Sequence, residues 1–135
     1  PPDDPLFASV QEPRELGTRA LDGTWLRLVD LQQALEGRGY AAEGFVSFAL
    51  EDGLCPWNSG VWRLSVEGDS GRLRRWDGEP DLTLAPRALA MLACGSASAR
   101  LLARLGLLHA AEPRALATAD ALFRGEYAPF CMDHF

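Results

Sequence analysis

The chain has 135 residues, of which 47% are apolar, and 13 Lys and Arg face 19 Asp and Glu for a net charge of −6. That length suits one domain burying roughly two-thirds of its unfolded surface. The acidic balance argues against nucleic-acid and anionic-membrane partners, which need a positive field. The three cysteines, Cys55, Cys94 and Cys131, are an odd set without C-x-x-C spacing, which favours reduced thiols over a disulfide framework. No signal-peptide pattern is present, and no apolar run approaches the ~20 residues of a membrane helix. These features predict a cytoplasmic protein.

The opening Pro1-Pro2-Asp3-Asp4-Pro5 is polar and stiff, like an inter-domain connector. Residues 1–13 are therefore read as a linker from upstream domains, and residues 14–135 as the domain itself. A boundary inside a longer protein accounts for the absent initiating Met more simply than processing does. Between Arg14 and Val29 one or two strands are expected around an Asp22-Gly23 turn. Asp30 suits an N-cap for a short helix carrying Leu31, Ala34 and Leu35 and ending near Gly37 or Gly39. Phe45–Leu50 reads as a strand with Val46, Phe48 and Leu50 on one face, and Trp62, Leu64 and Val66 mark a second. Arg72–Trp76 follows a turn at Gly68–Gly71, and Asp77-Gly78 signals another hairpin before Leu82-Thr83-Leu84.

The remaining sequence is helical in pattern. Pro86 starts a helix with Leu89, Leu92 and Ala93 inward, stopped at Gly95. Ser96 or Ser98 caps a second, with Leu101, Leu102 and Leu105 inward and Gly106 at its end. Pro113 begins a third, with Leu116, Ala119, Leu122 and Phe123 inward and Gly125 after it. Segregated strands and helices predict an α+β fold, with about five mainly antiparallel strands covered by helices on one face.

Self-contained chemistry is hard to find. No phosphate-cradling glycine loop occurs. His109 and His134 sit far from each other and the cysteines are about forty residues apart, so no metal site is expected, and no nucleophile elbow supports a Ser-His-Asp triad. The densest local signal is Cys55-Pro56-Trp57-Asn58-Ser59-Gly60-Val61-Trp62. It reads chiefly as a turn locked by aromatic packing, with Trp57 and Trp62 as pocket walls the competing reading. The chain closes on Tyr127-Ala128-Pro129-Phe130-Cys131-Met132-Asp133-His134-Phe135, unusually apolar for a terminus. Such an end should dock and fix its α-carboxylate. Desolvation then lifts that group from its usual ~3.3–3.7 toward the range of a general base, although plugging a groove is the simpler role.

These blocks resemble the C-terminal region of the Eis-type (enhanced intracellular survival) GNAT N-acetyltransferases. The resemblance is carried by Trp25–Asp30, Cys55–Leu64, Pro80–Leu84, Ala119–Arg124 and the ending Ala128–Phe135, and it covers about residues 14–135. It implies a sterol carrier protein-like fold for this chain, downstream of two acetyltransferase-type domains. It also implies that acetyl-CoA is bound by the upstream GNAT domain, that this domain binds no cofactor of its own, and that it is no enzyme in isolation. The family's general base is the final residue's carboxylate, which maps onto Phe135. The general acid belongs to the catalytic domain, so Tyr127 does not inherit that role. Asp133 and His134 lie beside Phe135 and are candidates to face the amine substrate, an aminoglycoside, another polyamine or a protein lysine. A lipid- or sterol-binding module with an apolar tunnel along Ala88–Leu108 is the alternative, and homo-oligomerisation of the parent is left open.

Overall fold

The structure is a computed structural model describing residues 3–19, 25–125 and 127–131. Three strands run as an antiparallel meander: β1 (Gly44–Leu50), β2 (Gly60–Glu67) and β3 (Ser70–Arg75). β4 (Leu82–Leu84) joins β1 in parallel, and β5 (Leu108–Ala110) pairs antiparallel with β4, giving the order β3-β2-β1-β4-β5. The period-two alternation of β1 and β2 puts Val46, Phe48, Leu50, Trp62, Leu64 and Val66 on one buried face.

Helices close over that face. α1 (Leu6–Ser9) precedes the sheet with no buried residue, as does a 3-10 turn at Pro13–Leu16. α2 (Leu31–Glu36) is capped by Asp30, whose carboxylate accepts the Gln33 N–H at 2.9 Å. α3 (Pro86–Ala93) and α5 (Pro113–Phe123) each begin on a proline, whose missing N–H is no loss in a first turn. α4 (Ala99–Arg104) starts from Ser98, which accepts the Leu101 N–H at 3.1 Å. Leu35, Leu64, Leu102, Ala119 and Leu122 are all completely buried, and each such leucine contributes roughly 1.5–3 kcal/mol. The β3 edge is blunted from α2: Glu36 accepts the Leu73 N–H at 2.9 Å, and Gly39 bridges to Ser70.

The fold is α+β as expected, with a sheet that is mixed where mainly antiparallel pairing was anticipated. Four local expectations need correction. Among the described residues of 14–29 there is no strand, because the Leu28 and Val29 carbonyls are taken by side chains of the 57–58 turn. The Asp22-Gly23 turn lies outside the described residues. Asp77-Gly78 closes no hairpin; the chain crosses over β1, where the Asp81 carboxylate accepts the Ser47 N–H and hydroxyl at 2.8 and 2.7 Å and fixes β4 in parallel register. Leu101 and Leu105 face outward, at 41% and 57% exposure, since a six-residue helix buries one stripe and Ala99 and Leu102 occupy it. The fifth strand is Leu108–Ala110, in a stretch whose pattern predicts helix.

Candidate functional site

Two regions carry the residues singled out above. At the first, α5 ends at Arg124 and the chain turns past Gly125 into the tail. The Ala128 N–H donates to Asp3 Oδ2 at 2.8 Å, tying the tail to the start of the chain. Tyr127 and Phe130 are 72% and 57% exposed, so the apolar side chains expected to dock do not pack on this domain within the described part of the tail. Phe135, Asp133 and His134, the expected base and substrate contacts, lie outside the described residues.

An open groove of about 490 Å³ runs beneath this tail, lined among others by Gly95, Ser98, Arg100, Asp120, Arg124 and Tyr127. Asp120 accepts the Ala99 N–H at 2.6 Å and pairs with Arg100 at 3.2 Å, so a first-turn donor of α4 and a neighbouring cation share one carboxylate. The groove thus presents both signs of charge beside the root of the C-terminal segment.

The second region is the Cys55–Trp62 block, and it is a latch. Pro56–Asn58 forms a 3-10 turn. Asn58, 2% exposed, donates its amide to the carbonyls of Leu28 and Val29 at 3.3 and 3.0 Å, and the Trp57 indole N–H donates to Val29 at 2.8 Å. The Trp62 indole returns to the Asn58 carbonyl at 2.8 Å, while Arg75 stacks 3.8 Å over the Trp62 ring and donates to the Trp57 and Ser59 carbonyls. Gly60 sits at φ 126°, a backbone conformation that favours glycine, and the Arg75 guanidinium lies where a Cβ would point. The two tryptophans frame a turn, with Trp62 in the core and Trp57 standing 59% exposed.

Asp52 is the member of this region that the sequence did not disclose. It is buried, its Oδ1 accepts the N–H groups of Leu54 and Cys55 at 3.1 and 2.9 Å, and it pairs with Arg27. Its Oδ2 is buried without a partner among the described residues. Burial alone would raise the Asp52 carboxyl. The Cys55 and Leu54 amides, the Arg27 guanidinium and the Asn58 amide outweigh it and hold the group below its ordinary value. Glu51-Asp52-Gly53 resembles any acidic turn, and its partner Arg27 lies 25 residues away in sequence.

His109 is exposed on β5, and among the described residues no cluster of three metal-ligating side chains occurs. Along Ala88–Leu108, which the alternative reading assigns to a lipid tunnel, the inward side chains are core: Leu89, Leu92 and Leu102 are at most 1% exposed. No described helix is long and apolar enough to cross a membrane.

A sheet with helices on one face, ordered β3-β2-β1-β4-β5, defines a two-layer α+β domain. The model of the sterol carrier protein domain matches residues 31–132, and the chain belongs to that family. It is similar over its full length to Eis1 from Mycobacterium abscessus, with 37% identity and a TM-score of 0.81, covering 34% of that chain. A GCN5-related N-acetyltransferase from Kribbella flavida matches with 30% identity and a TM-score of 0.79, again over 100% of this chain and 34% of that one. Among curated relatives, an uncharacterized N-acetyltransferase of Streptomyces avermitilis is 35% identical over 130 residues, 96% of this chain and 32% of its own length. The chain thus spans about a third of the relatives it matches, and their names associate the domain with acetyl transfer.

Proposed function

We propose that this chain is the C-terminal accessory domain of a GNAT-type amine N-acetyltransferase, and that it donates the carboxylate of Phe135 as general base. The observation that carries the reading is the match of nearly the whole chain to one third of N-acetyltransferases. Acetyl-CoA would occupy the upstream catalytic domain, and the attacking amine would belong to an aminoglycoside, another polyamine or a protein lysine. Before attacking the thioester carbon, the ammonium form must lose a proton. A carboxylate brought into a partly dry site accepts it, while the thiolate of CoA leaves as the amide bond forms. The Phe135 ring would anchor the carboxylate, with Asp133 and His134 at the approach of the cationic substrate. The Ala128–Asp3 hydrogen bond supports this by fixing where the tail departs.

The test is a one-glycine extension after Phe135 in the full-length parent. Acetyl transfer should fall by about 10²-fold or more, the usual scale of a general base, while acetyl-CoA binding by calorimetry is retained. Undiminished turnover would overturn the assignment to Phe135. Native mass spectrometry of the parent covers the lipid alternative, which a stoichiometric co-purified lipid would favour.

A further inference from the structure

The sheet face opposite the helices carries no helix; the 76–81 crossover covers Ser47 there, and beside it the face collects arginine and aromatic side chains in a chain whose net charge is −6. The register puts Phe45, Ser65 and Arg72 in one row across β1, β2 and β3, and Ser47, Arg63 and Arg74 in the next. Trp76 continues past β3, its N–H donating to the Val61 carbonyl at 3.0 Å. Arg63 lies between two rings on this face, 3.9 Å from the centroid of Phe45 and 4.5 Å from that of Trp76. Phe45 is 55% exposed and Trp76 38%.

Two aromatic faces hold the Arg63 guanidinium in a defined plane at little further entropic cost. Yet among the described residues Arg63 has no hydrogen-bond acceptor, and neither it nor Arg72 nor Arg74 has an ion-pair partner. The carboxylate tied into the same face, that of Asp81, is already engaged by Ser47. Glu67 stands one residue beyond the last β1–β2 pair. A planar guanidinium with its donors unused, flanked by two further arginines, fits a bidentate carboxylate.

We propose that this face seats a carboxylate-bearing protein surface of the acetyltransferase portion of a longer parent chain, with Arg63 as the forked donor. The inference rests on the proposed function for the identity of that portion. Two observations select the occupant. The relatives are about three times as long as this chain, so most of their length lies outside the matched part. The arginine cluster is opposite in sign to the chain's overall charge, so it selects Asp and Glu on its counterpart. Phe45 and Trp76 supply the apolar contact around the charge pair.

Hydroxyl-radical footprinting of the full-length parent tests this residue by residue. Phe45 and Trp76 should be protected in the unmodified parent at every protein concentration. The double substitution Arg72→Glu/Arg74→Glu, on exposed positions away from the core, should raise their oxidation by about threefold or more, since like charges across an interface are strongly unfavourable. Trp62 in the core should stay protected, reporting an intact fold. Arg63→Lys should give a smaller rise, because the ammonium keeps the charge and loses the fork. Phe45 and Trp76 oxidising freely in the unmodified parent, or staying protected in the double variant, would overturn the proposal. So would protection that vanishes on dilution, which would assign the face to a second copy. A parent that protects the face yet transfers no acetyl group would overturn the catalytic reading and not this one.

Discussion

Asn58→Ala isolates the latch that holds residues 25–30 onto the sheet. Asn58 is 2% exposed, and its amide serves the carbonyls of Leu28 at 3.3 Å and Val29 at 3.0 Å. Removing it deletes two hydrogen bonds, each with a net value of about 1 kcal/mol, and leaves the Leu28 carbonyl short of a donor, at roughly 1–3 kcal/mol more when buried. Val29 keeps its bond from the Trp57 indole and Leu28 is only half-buried, which trims that penalty, so the expected loss is about 2–4 kcal/mol. Against a typical total of about 5–15 kcal/mol, that loss is large, and it corresponds to roughly 10 °C in Tm for a domain this size. Urea unfolding followed by tryptophan fluorescence reads it as a lower midpoint at unchanged slope. Asn58→Asp is the control, because it keeps the shape, loses the donors and adds a charge near Asp52; it should be at least as destabilising. A loss under about 1 kcal/mol for Asn58→Ala, or a neutral Asn58→Asp, would refute the latch.

The pH dependence of the fold should carry two further signatures. Because the folded-state Asp52 carboxyl lies below its ordinary value of 3.8, its stabilisation is present above that value and is lost as pH falls through the depressed folded value. Urea midpoints across that acid range should flatten in Asp52→Asn relative to the unmodified chain; an unchanged slope would remove Asp52 from the acid response. Tyr40, buried and donating its hydroxyl to the Leu35 carbonyl at 2.6 Å, is pushed up to about 12 by burial, an effect that Arg38 opposes and Glu36 assists. Its contribution is intact below 10.0, its ordinary value, and is lost as pH rises toward 12. Ultraviolet titration should show a late tyrosinate step that Tyr40→Phe abolishes.

The sheet's centre was legible because Val46, Phe48 and Leu50 and then Trp62, Leu64 and Val66 alternate cleanly against a single helix layer. The Asp30 cap and the proline-started helices were legible for equally local reasons. Partner choice was not. Asp77-Gly78 has the composition of a hairpin, but the parallel β1–β4 pairing depends on Asp81 finding Ser47, 34 residues away. Leu108–Ala110 is too short to show a period, and its strand character comes from β4 beside it. The latch was visible as a turn in Cys55–Trp62, whereas its hold on Leu28 and Val29 and the buried Asp52–Arg27 pair exist only in three dimensions. The expected catalytic end, Asp133 to Phe135, falls outside the described residues, and its role rests on the resemblance.

The Ser47–Asp81 tie also has a kinetic meaning. The β1–β2–β3 meander is built from neighbours in sequence, with strands joined at Gly68–Asp69 and across residues 51–59. β4, β5 and helices α3 to α5 add to it at the parallel seam between β1 and β4 and through α5 packing on β1. Closing a loop of this length is only slightly harder than closing one half as long, but it is a non-local step that must precede any gain from the pairing. Ser47 and Asp81 reward that closure with two short hydrogen bonds as soon as the strands meet. The seam therefore joins the sequence-local meander to the half of the domain built from β4, β5 and the later helices.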